Sequence, residues 1–149
     1  MTSTVTWVLV ADGKRATIFT NDGPGRGLAP VPGASFTTEL HPSRDIVSDR
    51  PGHVQESAGS ARHGVEPKVD YHRLEKTLFA RELAKRLDAA IDGGKCQRLV
   101  LVAPPRVLGD LRQALSAKSR AAVAGELDKD LTHLKTSEIA QHLKSVLAV

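Results

Sequence analysis

Residues 98–103 read RLVLVA, a near-continuous aliphatic run. Such a run has no polar alternation, so it predicts a central strand buried on both faces. A strand of that kind has to be covered by other elements, and its neighbours in sequence supply them. Pro104-Pro105 follows, and proline suits the first turn of a helix. Leu108, Leu111 and Leu115 then form an apolar stripe at helical spacing. Upstream, Tyr71, Leu74 and Leu78 lead into Phe79, Leu83, Leu87 and Ile91 at steps of three and four. This predicts a long helix from Tyr71, ended by Gly93-Gly94. Its charges interleave, with pairs such as Glu82 to Arg86 expected on the solvated face.

The first forty residues follow another rhythm. Residues 5–11 and 15–20 are short strand-like runs around Asp12-Gly13, a strong hairpin signal. Residues 21–33 are rich in Gly and Pro and read as a loop. Residues 34–40 offer a third strand, which His41-Pro42 ends. Residues 121–127 give a last strand. Thr136 or Ser137 caps a final helix that buries Ile139, Leu143, Val146 and Leu147. The order is β-β-β, a long loop over 42–70, then α-β-α-β-α. It predicts one α/β domain over 1–149, a mixed sheet of about five strands with helices packed on it.

The core must be aliphatic, since there are three Phe, one Tyr and one Trp in 149 residues. That scarcity also argues against a stacking platform for single-stranded bases. The net charge of +4 permits a nucleic-acid partner without requiring one. The lone Cys96 cannot form an internal disulfide. With no export signal at the start and no apolar run long enough for a membrane helix, the expectation is a cytoplasmic protein with no membrane partner.

Chemistry-bearing residues gather in three places. Residues 48–70 (SDRPGHVQESAGSARHGVEPKVD) hold His53 and His63, whose near-neutral titration suits proton transfer. His53–Glu56, His63–Glu66 and His72–Glu75 repeat one spacing, but only the third pair lies on a predicted helix. No metal or cofactor is expected from them. At the start of the stretch, Asp49 and Arg50 precede Pro51-Gly52, a turn that could position an arginine toward phosphate. Turn chemistry alone also explains it. ELDKDLTHL places Asp128, Lys129, Asp130, Thr132 and His133 just after a strand, where α/β sheets favour ligands. Backbone capping is the plainer use of its two acids. After the buried strand come Arg106 and Arg112, with Gly109 inside a predicted helix. A glycine there costs about 1 kcal/mol against alanine and suggests that another backbone comes close. There is no P-loop and no nucleophile elbow.

WVLVADGKRATIF, SDRPG, LFARELAKRLD, LVLVAPPRVLGDLRQAL and ELDKDLTHL occur in this order along nearly the whole chain. Together they resemble the bacterial host attachment proteins, named as required for attachment to host cells. That family is grouped with relatives of the middle domain of archaeo-eukaryotic peptide chain release factors. The resemblance implies a release-factor middle-domain-like fold and a long loop between a strand and a long helix. In true release factors that loop carries a Gly-Gly-Gln triplet that promotes peptidyl-tRNA hydrolysis. The triplet is absent here, so peptide release is not carried over.

Three functions follow as expectations. The first is a non-enzymatic binding module associated with the ribosome or tRNA, with Asp49, Arg50, Arg106, Asp128, Lys129, Asp130 and Thr132 as binding candidates. The second is a small ester or phosphoester hydrolase, with His53, His63 and His133 as catalytic candidates. The third is a cytosolic protein that acts on cell attachment indirectly. A second copy of the chain is a further partner to consider.

Overall fold

The computed structural model describes residues 4–38, 65–147 and 149. Its strands are β1 (Thr6–Ala11), β2 (Arg15–Asn21), β3 (Ala29–Thr37), β4 (Arg98–Val102) and β5 (Val123–Leu127). Its helices are α1 (Val65–Asp92), α2 (Pro105–Ala114), α3 (Ala117–Ala122) and α4 (Thr136–His142), the last followed by a 3₁₀ turn at Leu143–Ser145. The strands form one mixed sheet in the order β3-β2-β1-β4-β5. β2 runs antiparallel to β1 and to β3, whereas β1, β4 and β5 run parallel to one another. The expected single-domain α/β architecture is therefore the observed one.

β4 explains why the sheet needs cover on both sides. Leu99 and Leu101 face a core built with Phe79, Leu83 and Leu87 of α1 and Leu108 and Leu111 of α2. Val100 and Val102 face the opposite core, with Val8, Val10, Ile139, Leu143 and Leu147. Burial of each such side chain contributes about 1.5–3 kcal/mol. One ion pair ties two helices together and a second ties a helix to the sheet. Arg73 of α1 donates both terminal nitrogens to Asp110 of α2, at 2.8 and 2.7 Å. Arg112 of α2 holds Glu126 of β5, with its Nε donating at 3.0 Å to Oε2.

Several boundaries depart from the sequence expectation. α1 begins at Val65 rather than Tyr71, and Pro67 is tolerated there because it lies in the first turn. Leu74 and Leu78, expected on the buried face, are 49% and 37% exposed, and among the described side chains of α1 the buried stripe starts at Phe79. The Glu82–Arg86 pair does not form, because the Arg86 guanidinium lies 4.3 Å from the centre of the Phe36 ring. β3 starts at Ala29, inside the segment read as a loop. Its prolines are acceptable because β3 is an edge strand. Residues 121–122 end α3 instead of opening β5. Ser116 caps α3, its Oγ accepting the Ser119 amide at 3.2 Å. α4 is capped at Lys135, whose amide donates to Glu138 Oε1 at 2.9 Å, rather than by Thr136 or Ser137. Gly109 meets no close backbone: a Cβ there would find nothing within 4 Å.

Candidate functional site at the carboxyl edge of the sheet

Because β1, β4 and β5 are parallel, their carboxyl ends lie along one edge of the sheet. The hairpin after β1 delivers Asp12, Lys14 and Arg15 to that edge. The start of α2, after β4, delivers Arg106. The segment after β5 delivers residues 128–133. α1 joins them, since the Lys76 methylenes lie about 3 Å from where a Cβ on Gly13 would sit.

Asp12 is the hub. Its Oδ1 accepts the amides of Lys14 and Arg15 at 2.7 and 2.8 Å, which closes the hairpin turn. Its Oδ2 faces Thr132 Oγ1 at 3.3 Å and Arg15 Nε at 3.8 Å. Thr132 also places its hydroxyl 2.5 Å from Asp130 Oδ1, and its amide donates to the same oxygen at 3.0 Å. A hydroxyl has one hydrogen, so Thr132 can donate fully to only one of the two carboxylates. The shorter contact favours Asp130. Partial burial pushes the Asp130 carboxyl up. The two Thr132 bonds, with His133 and Arg15 nearby, outweigh burial and hold it below its ordinary value.

Asp12, Asp130 and His133 can each bring one potential ligand atom to within 4.8 Å of the others. These are oxygen and imidazole donors, which suit a divalent cation. The fit is partial: Oδ1 of Asp12 and Oδ1 of Asp130 are already engaged by backbone amides. Asp130 and His133 also bring a carboxylate and an imidazole within 4.8 Å of each other, groups of the kind that serve as acid and base in ester hydrolysis. The depression beside the cluster, lined by Arg15, Thr17, Thr132 and Leu134 among others, holds about 80 Å³. Ligand pockets usually span about 300–1,000 Å³.

Of the residues singled out from sequence, Asp130, Thr132 and His133 come together. Asp128, Lys129 and Arg106 are exposed on the same edge without a bond into the cluster. The His72–Glu75 pair gathers no third ligand among the described residues. Asp49, Arg50, His53 and His63 lie outside the described residues. Asp12, Lys14, Arg15 and Lys76 were not anticipated. Asp12 reads in sequence as a hairpin residue, yet the strand-end rule applied to residues 128–133 applies equally to the end of β1.

Fold and site define a single-domain α/β protein with a polar cluster along the carboxyl edge of a mixed sheet. The chain belongs to the family described as "Protein required for attachment to host cells", which matches residues 7–143. A search of the curated proteins returned no match. Among the described residues no helix is long and apolar enough to cross a membrane.

Proposed function

We propose that this chain is a non-enzymatic binding module that presents the carboxyl edge of its sheet to ribosomal or transfer RNA. The observation that supports this reading is the placement of Lys14, Arg15, Lys76, Arg106 and Lys129. All are exposed, and the fold draws them from separate segments to one edge. Phosphate affinity depends on such clustering more than on net charge. The small volume of the depression beside the cluster, among the described residues, favours a partner met across a surface over a substrate held in that depression. The resemblance to the release-factor middle domain suggests the same class of partner. The missing Gly-Gly-Gln triplet argues for binding without peptide release.

Sedimentation of the protein with purified ribosomes across a salt series tests this. Association at low salt should weaken as salt rises, and each phosphate contact removed by Lys14→Gln, Arg106→Gln or Lys129→Gln should lower the logarithmic salt slope by about 0.7–0.9. Absence from the ribosomal pellet even at low salt overturns the proposal.

The convergence of Asp12, Asp130 and His133 supports a second reading, an ester or phosphoester hydrolase at this cluster. In it His133 would move the proton and Asp130 would hold the imidazolium charge. Hydrolysis of p-nitrophenyl esters or phosphates that survives His133→Ala unchanged would remove this reading.

A further inference from the structure

A second concave feature lies away from the carboxyl edge, beside the amino-terminal half of β1. β2 and β3 pair regularly at Thr17↔Ser35 and again at Phe19↔Pro30, so residues 31–34 stand opposite Ile18 alone. The extra residues leave the ladder as a bulge, and Gly33 turns it with φ 73°. Bulges of this kind re-aim side chains and often border sites. Here the bulge stands off the last turns of α1 and leaves a groove of about 280 Å³ with Trp7 among its lining residues. A smaller depression of about 200 Å³ adjoins it and shares Phe36 and Arg86.

The two chambers differ in charge. The smaller one contains Glu82. The larger one has apolar walls from Trp7, Val31, Pro32 and Phe36, and its charged groups are Arg86 and Lys95. Neither cation has an acidic partner among the described residues. The Arg86 guanidinium rests on the Phe36 ring, which fixes it at the groove wall. An apolar lining favours an apolar body, and exposed cations without an acidic partner favour an anionic head.

We propose that this groove binds a small amphiphilic carboxylate, its aryl or alkyl body against Trp7, Val31 and Pro32 and its carboxylate toward Arg86 and Lys95. A small molecule is favoured over a protein partner because the groove is lined by a handful of apolar side chains and its volume of about 280 Å³ is near that of small-ligand sites. The site is independent of the carboxyl edge and of the RNA-binding reading.

Trp7 is the single tryptophan of the chain, so its emission reports on the groove directly. The probes are 4-phenylbutyrate and its neutral analogue 4-phenylbutyramide. The carboxylate should change Trp7 emission saturably and shift the NMR amide signals of Gly33 and Lys95. The amide should bind at least about tenfold more weakly, the loss expected for a charge-assisted contact. The doubly substituted Arg86→Gln, Lys95→Gln protein should show a similar loss while melting as the wild type does. Ala89→Phe, which fills the groove, should abolish the response. Equal binding of acid and amide overturns the proposal, as does an unchanged affinity after the double substitution. So does the absence of both fluorescence and NMR responses up to about 10 mM, a limit weaker than about 3 kcal/mol of binding free energy.

Discussion

Asp12 joins the first hairpin to the segment after β5, and its two oxygens do different work. Oδ1 accepts two backbone amides, at 2.7 and 2.8 Å, while Oδ2 faces Thr132 and Arg15. Asp12→Ala removes both acceptors and leaves the amides of Lys14 and Arg15 to water. At about 0.5–1.5 kcal/mol per bond, the loss is about 2 kcal/mol. Asp12→Asn keeps an oxygen where Oδ1 stands and gives up only the charge and the long acceptor contact that Oδ2 offers to Arg15 and Thr132. Pairing of that exposed kind is worth about 0.5 kcal/mol. For a chain of this length, 2 kcal/mol lowers the melting temperature by about 4–8 °C. Thermal melts of the two variants at pH 7, followed by circular dichroism, should therefore separate widely. If the Asn variant falls as far as the Ala variant, the charge and not the amide acceptor holds this corner. If the Ala variant melts with the wild type, the turn bonds contribute nothing. A stable Asn variant also tests the hydrolase reading without unfolding the hairpin.

Other outcomes follow from single environments. Gly109→Ala should stabilise the protein by about 0.5–1 kcal/mol, read as a higher urea midpoint, because a helical Cβ there meets no atom within 4 Å. The Asp130 carboxyl titrates below its ordinary 3.8 in the folded protein, so its ionised form stabilises above that value. Compared with Asp130→Asn, the wild type should be more stable at neutral pH, and the difference should vanish as pH falls through the folded value. Urea unfolding at pH 7 and under strongly acidic conditions checks the sign. Burial pushes the Cys96 thiol up to about 11, so Ellman's reagent at pH 8 should react slowly with the native protein and rapidly once urea unfolds it.

The elements legible in the sequence were those with one dominant cause. RLVLVA had no polar alternation, and β4 is buried on both faces. Asp12-Gly13 between two short runs could only be a tight reversal. The elements that were missed had competing causes. Pro30 and Pro32 argue against a strand in general but not against an edge strand, and edge position is a property of the finished sheet. Residues 117–122 (AKSRAA) carry no apolar stripe. The one local signal for α3 is the Ser116 cap, a single residue whose capping role is visible only in the structure's hydrogen bond from the Ser119 amide. Val65 to Asp70 offers only Val65 and Val69 at helical spacing, around a proline, which is too little to signal the first turns of α1.

The candidate site was half legible for a related reason. Asp130, Thr132 and His133 are neighbours in sequence, and their position after a strand is visible from the pattern alone. Asp12 lies 120 residues from Thr132, and no local signal connects them. What brings them together is strand order. β1 must lie next to β4 and parallel to it, and β5 must extend the same parallel set, before three carboxyl ends can share an edge. The β2–β3 hairpin extension then occupies the other side of β1. The β1–β4 boundary is thus where the chain changes from meander to crossover, the kind of junction at which open sheets leave space for ligands. A hydrophobic pattern can say that each strand exists. The juxtaposition of Asp12 with Asp130 and His133 is information held only in how the strands are ordered.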